Sequence, residues 1–284
     1  MDVRRLRLLL ELSRLGSMRE VAEELGTTTS TVSQGIAALA AEVGCALVEP
    51  EGRRVRLTPA GTRLAEHAVH VIAAIEAARA DLDPAARPSG VVRVAGFATA
   101  VRRSLLPAVE RLAAEHPAVE VRVLELEPQE ALEALHRDDL DLALAYDYDL
   151  APHDWSPDLE ATALWQVAWG LGVPDADRGS RLADFADRPF VVNSRGTGDE
   201  RVLRTLGALA GFAPRVVHRV DSLDLVDDLV VAGLGVALLP TDRRPRTGVR
   251  VLPLTDPPVL RAHAVVRRGR ATWPPVRAVL ERLR

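Results

Sequence analysis

The sequence predicts an α/β protein whose two parts obey different periodicities, and three observations lead there. Residues 1 to about 82 carry apolar residues at helical spacing, broken by one short alternating stretch. From about residue 91 short apolar runs alternate with amphipathic segments, the pattern of strands and helices built around mainly parallel sheets. Between them "DPAARPSG", Asp83 to Gly90, has the composition of a linker.

A chain of 284 residues is long enough for a small domain and a bipartite one, and 48% hydrophobic with 27% charged residues is ordinary for a globular protein. The longest apolar run, around Leu229 to Pro240, is short and interrupted by glycine, and Glu11 breaks any signal-peptide core, so a cytoplasmic protein without membrane contact is expected. Cys45 is the single cysteine; it rules out an intrachain disulfide and, lying among apolar residues, is expected in the core. All 36 basic residues are arginine, which excludes a P-loop lysine or a Schiff-base lysine. The net charge of −4 gives no general sign of nucleic-acid binding, so any such case must be local.

Val3, Leu6, Leu9, Leu10 and Leu12 give a first helix, which Gly16 ends. Ser17 and Glu20 form a capping box for a short second helix that buries Val21, Ala22 and Leu25. Six of the seven residues from Thr27 to Ser33 carry a hydroxyl; Thr27 or Thr28 caps a third helix with Val32, Ile36 and Leu39 on one stripe. Ala22, Gly26 and Val32 have the spacing of a helix-turn-helix: a small residue at the helix contact, a glycine turn and a packing anchor. A purely structural three-helix domain shares that skeleton but does not account for the opposite face. There Thr28, Thr29, Ser30, Ser33, Gln34 and Ala37 offer short side chains suited to base edges and phosphates in a major groove.

In "EPEGRRVRLTPAG" a turn at Glu51-Gly52 and alternation around Val55 and Leu57 predict a hairpin wing. Residues 1 to 60 hold eight arginines against eight carboxylates, so the cluster Arg53, Arg54 and Arg56 is the expected phosphate clamp. Thr58-Pro59 then starts a long helix. Leu64, Ala68, Val71, Ile75, Ala78 and Leu82 step along it as a coiled-coil seam, the expected dimerisation surface.

The succession of a helix, "GSMREVAEELGTTTSTVSQGIAAL", an Arg-rich wing, "LTPAG" and a long helix resembles the N-terminal region of LysR-type transcriptional regulators. The resemblance departs at Val21, Thr29 and Ala40, where the family usually has Ala, Gln and Glu. It departs again at Val48 and Pro50, where the family usually has Phe and Arg. It implies a winged helix-turn-helix over residues 1–60, a dimerisation helix and hinge over 61–90, and an effector-binding domain of periplasmic-binding-protein type over 91–284. The last would divide into a subdomain of about 91–163 with 249–284 and a second of about 164–248. The implied partners are double-stranded promoter DNA, a small-molecule effector and further copies of the chain in a homodimer or homotetramer, with no cofactor.

Ligands of open α/β sheets sit beyond the carboxyl ends of strands. Two such ends can be placed here: Phe97, Ala98, Thr99 and Ala100 after the first strand, and Asn193, Ser194, Arg195 and Thr197 after "PFVV", both before helices. Helix N-termini meeting across a cleft favour an anionic effector, with Arg195 as its counter-charge. Each of these residues alone reads more readily as a helix cap; their equivalent places in two halves favour a site. Five of ten aromatics, Tyr146, Tyr148, Trp155, Trp165 and Trp169, crowd where the chain passes between subdomains, either lining the cleft with Tyr146 foremost or packing the hinge. Asp147 and Asp149 read as solvated turn residues. The sequence contains no G-x-S-x-G, H-E-x-x-H, C-x-x-C or full G-x-G-x-x-G, so neither an enzyme nor a metal site is expected. The remaining alternatives are a regulator that needs no ligand and a cleft enzyme with an accessory helical domain.

Overall fold

The computed structural model describes residues 1–51, 54–82, 87–194 and 198–283, the side chains of residues 54, 80 and 81 aside. Helix α1 (Val3–Leu15) starts where the Asp2 carboxylate accepts the Arg4 backbone N–H at 2.8 Å. Helices α2 (Met18–Glu24) and α3 (Thr29–Val43) follow, with Gly26 at φ +60° in the turn between them. Ser17 accepts the Glu20 N–H at 3.4 Å, and among the described residues no return bond from Glu20 completes the expected box. Thr28 rather than Thr27 caps α3.

Strands β1 (Val48–Glu51) and β2 (Arg54–Leu57) pair antiparallel as the wing, with Glu49 opposite Arg56. Thr58 ties the wing to α4 (Pro59–Leu82): its hydroxyl accepts the Gly61 N–H at 3.0 Å and donates to the Ala46 carbonyl at 2.7 Å. Gly61 is dictated by that closeness, since a Cβ there would stand 2.0 Å from the Leu47 carbonyl oxygen. Leu9, Val21, Val32, Ile36, Leu39 and Leu47 form the core of this module together with Ala65, Ala68, Val69 and Ile72 of α4.

The expected seam of α4 therefore divides. Ala68 is fully buried and Leu64 half-buried in the module's own core, whereas Val71 is 39% and Leu82 85% exposed, with Ala78 exposed and Ile75 half-buried. The core stripe and the seam lie side by side on one helix and share Ala68. Cys45 is exposed, against the expectation of a core thiol, because it follows the αL residue Gly44 that turns the chain off α3.

The larger module begins with β3 (Gly90–Gly96). A continuous helical run comes next: α5 (Ala98–Ala100), a π turn at Val101–Leu105, and α6 (Leu106–Glu115). Then come β4 (Val119–Glu125), α7 (Pro128–His136), β5 (Leu142–Tyr148) and the sixteen-residue β6 (Leu159–Pro174). The second cycle is β7 (Pro189–Val192), α8 (Gly198–Leu209), β8 (Arg215–Arg219), α9 (Leu223–Val231), β9 (Val236–Pro240) and β10 (Val249–Leu252). β11 (Val259–Arg267), a 3-10 turn at Arg270–Thr272 and α10 (Pro274–Leu280) return to the first half.

The strands run β4-β3-β5-β11-β6-β9-β7-β8, with β10 on the other part of β6. β3 is parallel to β4 and β5, and β7 is parallel to β8 and β9, as the alternation of strands and helices requires. β6 belongs to both halves. Leu159 to Ala168 pair with β11, Trp169 to Gly172 with β9, and Leu171 to Pro174 with β10. The chain thus crosses between subdomains at Ala168 and Trp169 rather than near 164. Because β10 pairs with the far part of β6, the return falls between Leu252 and Val259 rather than at 249. One apolar cluster runs through both halves, joining Leu144 and Tyr148 to Trp169, Phe190 and Leu238. The α4 helix rests on the first subdomain, with the His70 ring against Gly269 beside the 3-10 turn.

Candidate DNA interface and effector cleft

Helix α3 buries Val32, Ile36 and Leu39 completely, and this orients its other face outward. Thr28, Thr29, Ser30, Ser33, Gln34 and Ala37 are all exposed there. The Thr28 hydroxyl is committed to the cap, accepting the Thr31 N–H at 3.2 Å and lying 2.9 Å from the Thr31 hydroxyl. The Gln34 amide reaches back to the Ser30 hydroxyl at 3.4 Å, an exposed contact that costs little to exchange for another partner. In the wing, Arg56 pairs with Glu49 across the hairpin at 2.7 Å. Arg53 and the Arg54 side chain lie outside the described residues.

In the larger module the first strand end and the "PFVV" end do come together. Phe97, Ala98 and Thr99 face Asn193, Asp221 and Ser222 across a cavity of about 460 Å³, with Tyr146 in its wall. Ala100, by contrast, is fully buried and takes no part in the lining. Ser194 is 2% exposed and belongs to a second cavity of about 370 Å³ on the other side of Tyr146, lined also by Gly198 and Arg201. Tyr146 and Glu127 are common to both cavities and so partition the cleft. Arg195 and Thr197 lie outside the described residues.

The aromatic crowding serves both expected purposes. Ring centroids follow one another from Trp165 to Phe97 (6.3 Å), Tyr146 (4.8 Å), Tyr148 (5.8 Å) and Trp169 (5.8 Å), each pair edge to face. Phe97 and Tyr146 line the first cavity and Tyr146 and Tyr148 the second, while Tyr148 and Trp169 are otherwise buried in the crossing. Trp165 donates from Nε1 to the Ser104 hydroxyl at 3.0 Å and carries the Arg103 guanidinium 4.3 Å over its ring. Trp155 stands apart, against His153 and His263.

Of the two carboxylates read as solvated turn residues, Asp147 departs from that expectation and Asp149 does not. Asp147 is 6% exposed instead of solvated, taking Arg261 at 2.7 Å, His263 at 3.2 Å and the His153 backbone N–H at 3.0 Å. Burial pushes its pKa up, but these donors outweigh it and the net direction is down. Asp149 is a turn residue that accepts the N–H groups of Leu150 and Val259.

Sequence reasoning missed Asp199. Near the start of α8 in the second subdomain, it accepts the hydroxyls of Tyr146 at 2.7 Å and Tyr148 at 2.6 Å from the first. No sequence signal pairs residues more than 50 positions apart, although a carboxylate in a first helical turn is a common match to the helix dipole.

Charge is uneven around the first cavity. Arg102, Arg103 and Arg243 stand against Glu125, Glu127, Asp221, Asp224 and Asp242. Arg103 is bound to Asp242 at 2.6 Å, and Arg243 to Asp224 at 2.6 Å and Asp227 at 2.7 Å. Asn193 Oδ1 is buried and has no hydrogen-bond partner among the described residues.

A helix-turn-helix with an open polar face, carried on a helix that docks against a cleft-bearing two-lobed module, is the organisation of a ligand-responsive transcription regulator. Residues 3–62 match the bacterial regulatory helix-turn-helix protein, lysR family, and residues 85–284 the LysR substrate binding domain; the chain belongs to the LysR family of transcriptional regulators. It is a DNA-binding regulator with an effector-binding domain and not an enzyme.

Among its relatives are the transcriptional dual regulator GltC of Bacillus subtilis, 30% identical over 274 residues that cover 94% of this chain and 91% of GltC. The HTH-type transcriptional regulator IlvR of Caulobacter vibrioides is 29% identical over 292 residues, covering 95% and 94%. Full-length OxyR from Pseudomonas aeruginosa superposes with a TM-score of 0.73 over 100% of this chain and 95% of that one, at 20% identity. CbnR in complex with its target DNA superposes at 0.53 over 100% and 98%, at 22% identity. At those identities the structures speak for the fold. Among the described residues no helix is long and apolar enough to cross a membrane.

The Asp199 contact makes a pH-dependent seam between the subdomains. Burial raises this carboxyl from 3.8 to about 6, against the pull of hydrogen bonds from Tyr148 and Tyr146. The folded state holds the proton more tightly, so the stabilising contribution is complete below about pH 4 and is lost as pH rises through 6. Asp199→Asn keeps the shape and removes the titration. The difference in unfolding free energy between the parent and this variant should change by about 2 kcal/mol from pH 4.5 to 7.5, measured by urea denaturation. A difference that stays constant across that range would refute the assignment.

Proposed function

We propose that this protein acts in the cytoplasm as a homodimer or homotetramer that reads promoter DNA through the exposed face of α3 and the wing, and that a small molecule held in the cleft adjusts this reading. Thr29, Ser30, Ser33 and Gln34 contact base edges, Thr28 sets the helix start, and Arg53, Arg54 and Arg56 hold phosphates. CbnR, a protein of the same fold solved on its target DNA, supports this use of the module. Val71, Ile75, Ala78 and Leu82 supply the surface that joins copies, while Leu64 and Ala68 stabilise the winged helix from within.

The observation that carries the effector reading is Asn193. Asn193, just past the end of a parallel strand, lines a cavity of about 460 Å³, within the range of metabolite sites, and its buried Oδ1 has no hydrogen-bond partner among the described residues. An unpaired acceptor calls for a ligand that brings a donor. Among the described residues carboxylates outnumber arginines in that cavity, and two of its three described arginines are already paired. A purely anionic effector is therefore disfavoured, and an acid that also bears an amine fits better, its donors toward Asn193 and its acid toward Arg102.

A thermal-shift panel of amino acids and their keto-acid counterparts tests this. A bound amino acid at 100-fold its Kd should stabilise by about 2.7 kcal/mol, a rise of several degrees that Asn193→Leu removes. A shift from keto acids alone would restore the anionic reading, and no shift from either would leave a ligand-free regulator. Replacing both Ser33 and Gln34 by Ala should change base preference at one or two positions of the selected DNA site by about 1–3 kcal/mol, with little loss of general affinity. Unaltered preference in a selection experiment would remove them from the reading face. Val71→Glu with Ile75→Glu should yield monomers by sedimentation while the module stays folded, since neither residue belongs to its buried core. An intact dimer would show that the copies meet elsewhere.

A further inference from the structure

A cavity of about 630 Å³, larger than either part of the cleft, opens where the DNA-binding module meets the first subdomain. Its apolar wall comes from both sides: Leu10, Leu25 and Ile72 from the helices of the first module, Trp273, Pro274 and Pro275 from the end of the chain. Its charge is lopsided. Among the described residues seven arginines line it against four carboxylates, in a chain whose net charge is −4.

Pairing reduces the excess without removing it: Arg122 pairs with Glu120, a carboxylate outside the lining, at 2.7 Å. Asp141, 1% exposed, accepts from Arg93 Nε and Nη2, both at 3.0 Å, and from Arg270 Nη2 at 2.5 Å, so one carboxylate answers two guanidiniums. Arg270 is only 9% exposed; its Nε has no hydrogen-bond partner, and its guanidinium lies 4.1 Å from the Trp273 ring. Arg14 is divided between Glu11 at 2.8 Å and Glu24 at 3.7 Å, and Arg7 pairs with Glu76. Arg79, near the end of α4, and Arg87 have no ion-pair partner among the described residues. Buried or half-enclosed positive charge without a matching anion is costly, and a bound anion relieves that cost.

We infer that this junction is a second ligand site, separate from the cleft, selective for a phosphorylated small molecule. Arg79 and Arg87 take the phosphate from the open side, and the positive charge left over by the Arg93–Asp141–Arg270 cluster reinforces it from within. The apolar body of the ligand lies along Ile72 and Trp273. Guanidinium groups suit phosphate because their paired N–H donors match its oxygens. Since the walls belong to two modules, an occupant favours the one arrangement of winged helix and first subdomain that forms the cavity, and through linkage it shifts DNA affinity.

Inorganic pyrophosphate titrated into the full-length protein by calorimetry, at ionic strength fixed with sodium chloride, tests the site. The expected result is saturable binding of one pyrophosphate per chain, weakened at least tenfold in R79Q/R87Q. Both replaced side chains are exposed and outside the core, and retained DNA binding in that variant confirms its folding. Absence of saturable binding, or equal affinity in R79Q/R87Q, would overturn the inference. So would binding that survives in R79Q/R87Q but falls in R54A/R56A, which would place pyrophosphate on the wing.

Discussion

Because β6 keeps one extended backbone while changing partners at Ala168 and Trp169, the two subdomains cannot part; they can only turn about that strand and the return segment between Leu252 and Val259. The tightness of the crossing is written into its residues. Gly170 lies where a Cβ would come within 2.6 Å of the Leu252 carbonyl oxygen, so the strand accepts no larger residue without moving β10. Immediately beside it Trp169 and Tyr148 fill the crossing, and Asp199 reaches from one subdomain to the tyrosines of the other. A hinge of this construction has few free coordinates. That makes it suited to two discrete arrangements rather than a continuum, as packed interiors generally are.

The same constraint places the cleft. Parallel strands end at Gly96 and Val192 on either side of β6, and both give way to helices at the crevice. Tyr146 stands in the partition between the cavities and donates to Asp199, so any occupant that displaces its ring acts on the inter-subdomain bond directly. No long pathway is needed to connect ligand with hinge. The route from hinge to DNA is longer: α10 and the 3-10 turn before it belong to the first subdomain and also bear on α4, and α4 forms part of the winged-helix core. Coupling energies between such sites are typically about 1–3 kcal/mol, comparable to one well-made buried contact, so a few side chains at the α4 junction suffice to transmit it.

What was legible in the sequence follows from what is local. Helical periodicity, caps and the Ala22–Gly26–Val32 spacing gave the winged helix, because each depends on residues within one or two turns. Strand and helix alternation gave the α/β plan for the same reason. The full length of β6 was not legible, since from Trp169 to Val173 every residue is buried and the alternation that marks a half-exposed strand disappears. The π turn at Val101–Leu105 leaves no compositional mark. The burial of Asp147 and Asp199 was not legible either: their partners Arg261 and Tyr148 are 114 and 51 residues away, and Asp147, following an apolar run, reads as a turn residue. The α4 seam reads as one stripe in the sequence, whereas the 24-residue helix gives Ala68 and Leu64 to its own module and leaves Val71, Ala78 and Leu82 exposed.

The charge pattern adds a last step. A net charge of −4 averages over regions that differ in sign, and arginine, the chain's sole side-chain base apart from histidine, decides which is which. Among the described residues of the cleft, Arg103 and Arg243 are paired with neighbouring carboxylates, which supports the proposed place for an amine. At the junction two guanidiniums share Asp141, and the excess is positive. The two proposed sites differ in the charge they favour, an amine beside an acid in the cleft and a phosphate at the junction. Each also acts on a different mechanical element, the cleft on the turn about β6 and the junction on the seat of α4. As proposed, a zwitterion in the cleft and a phosphate at the junction act on one DNA-binding equilibrium through separate elements. Their effects add in free energy so long as the first subdomain, which both sites share, moves as a rigid body.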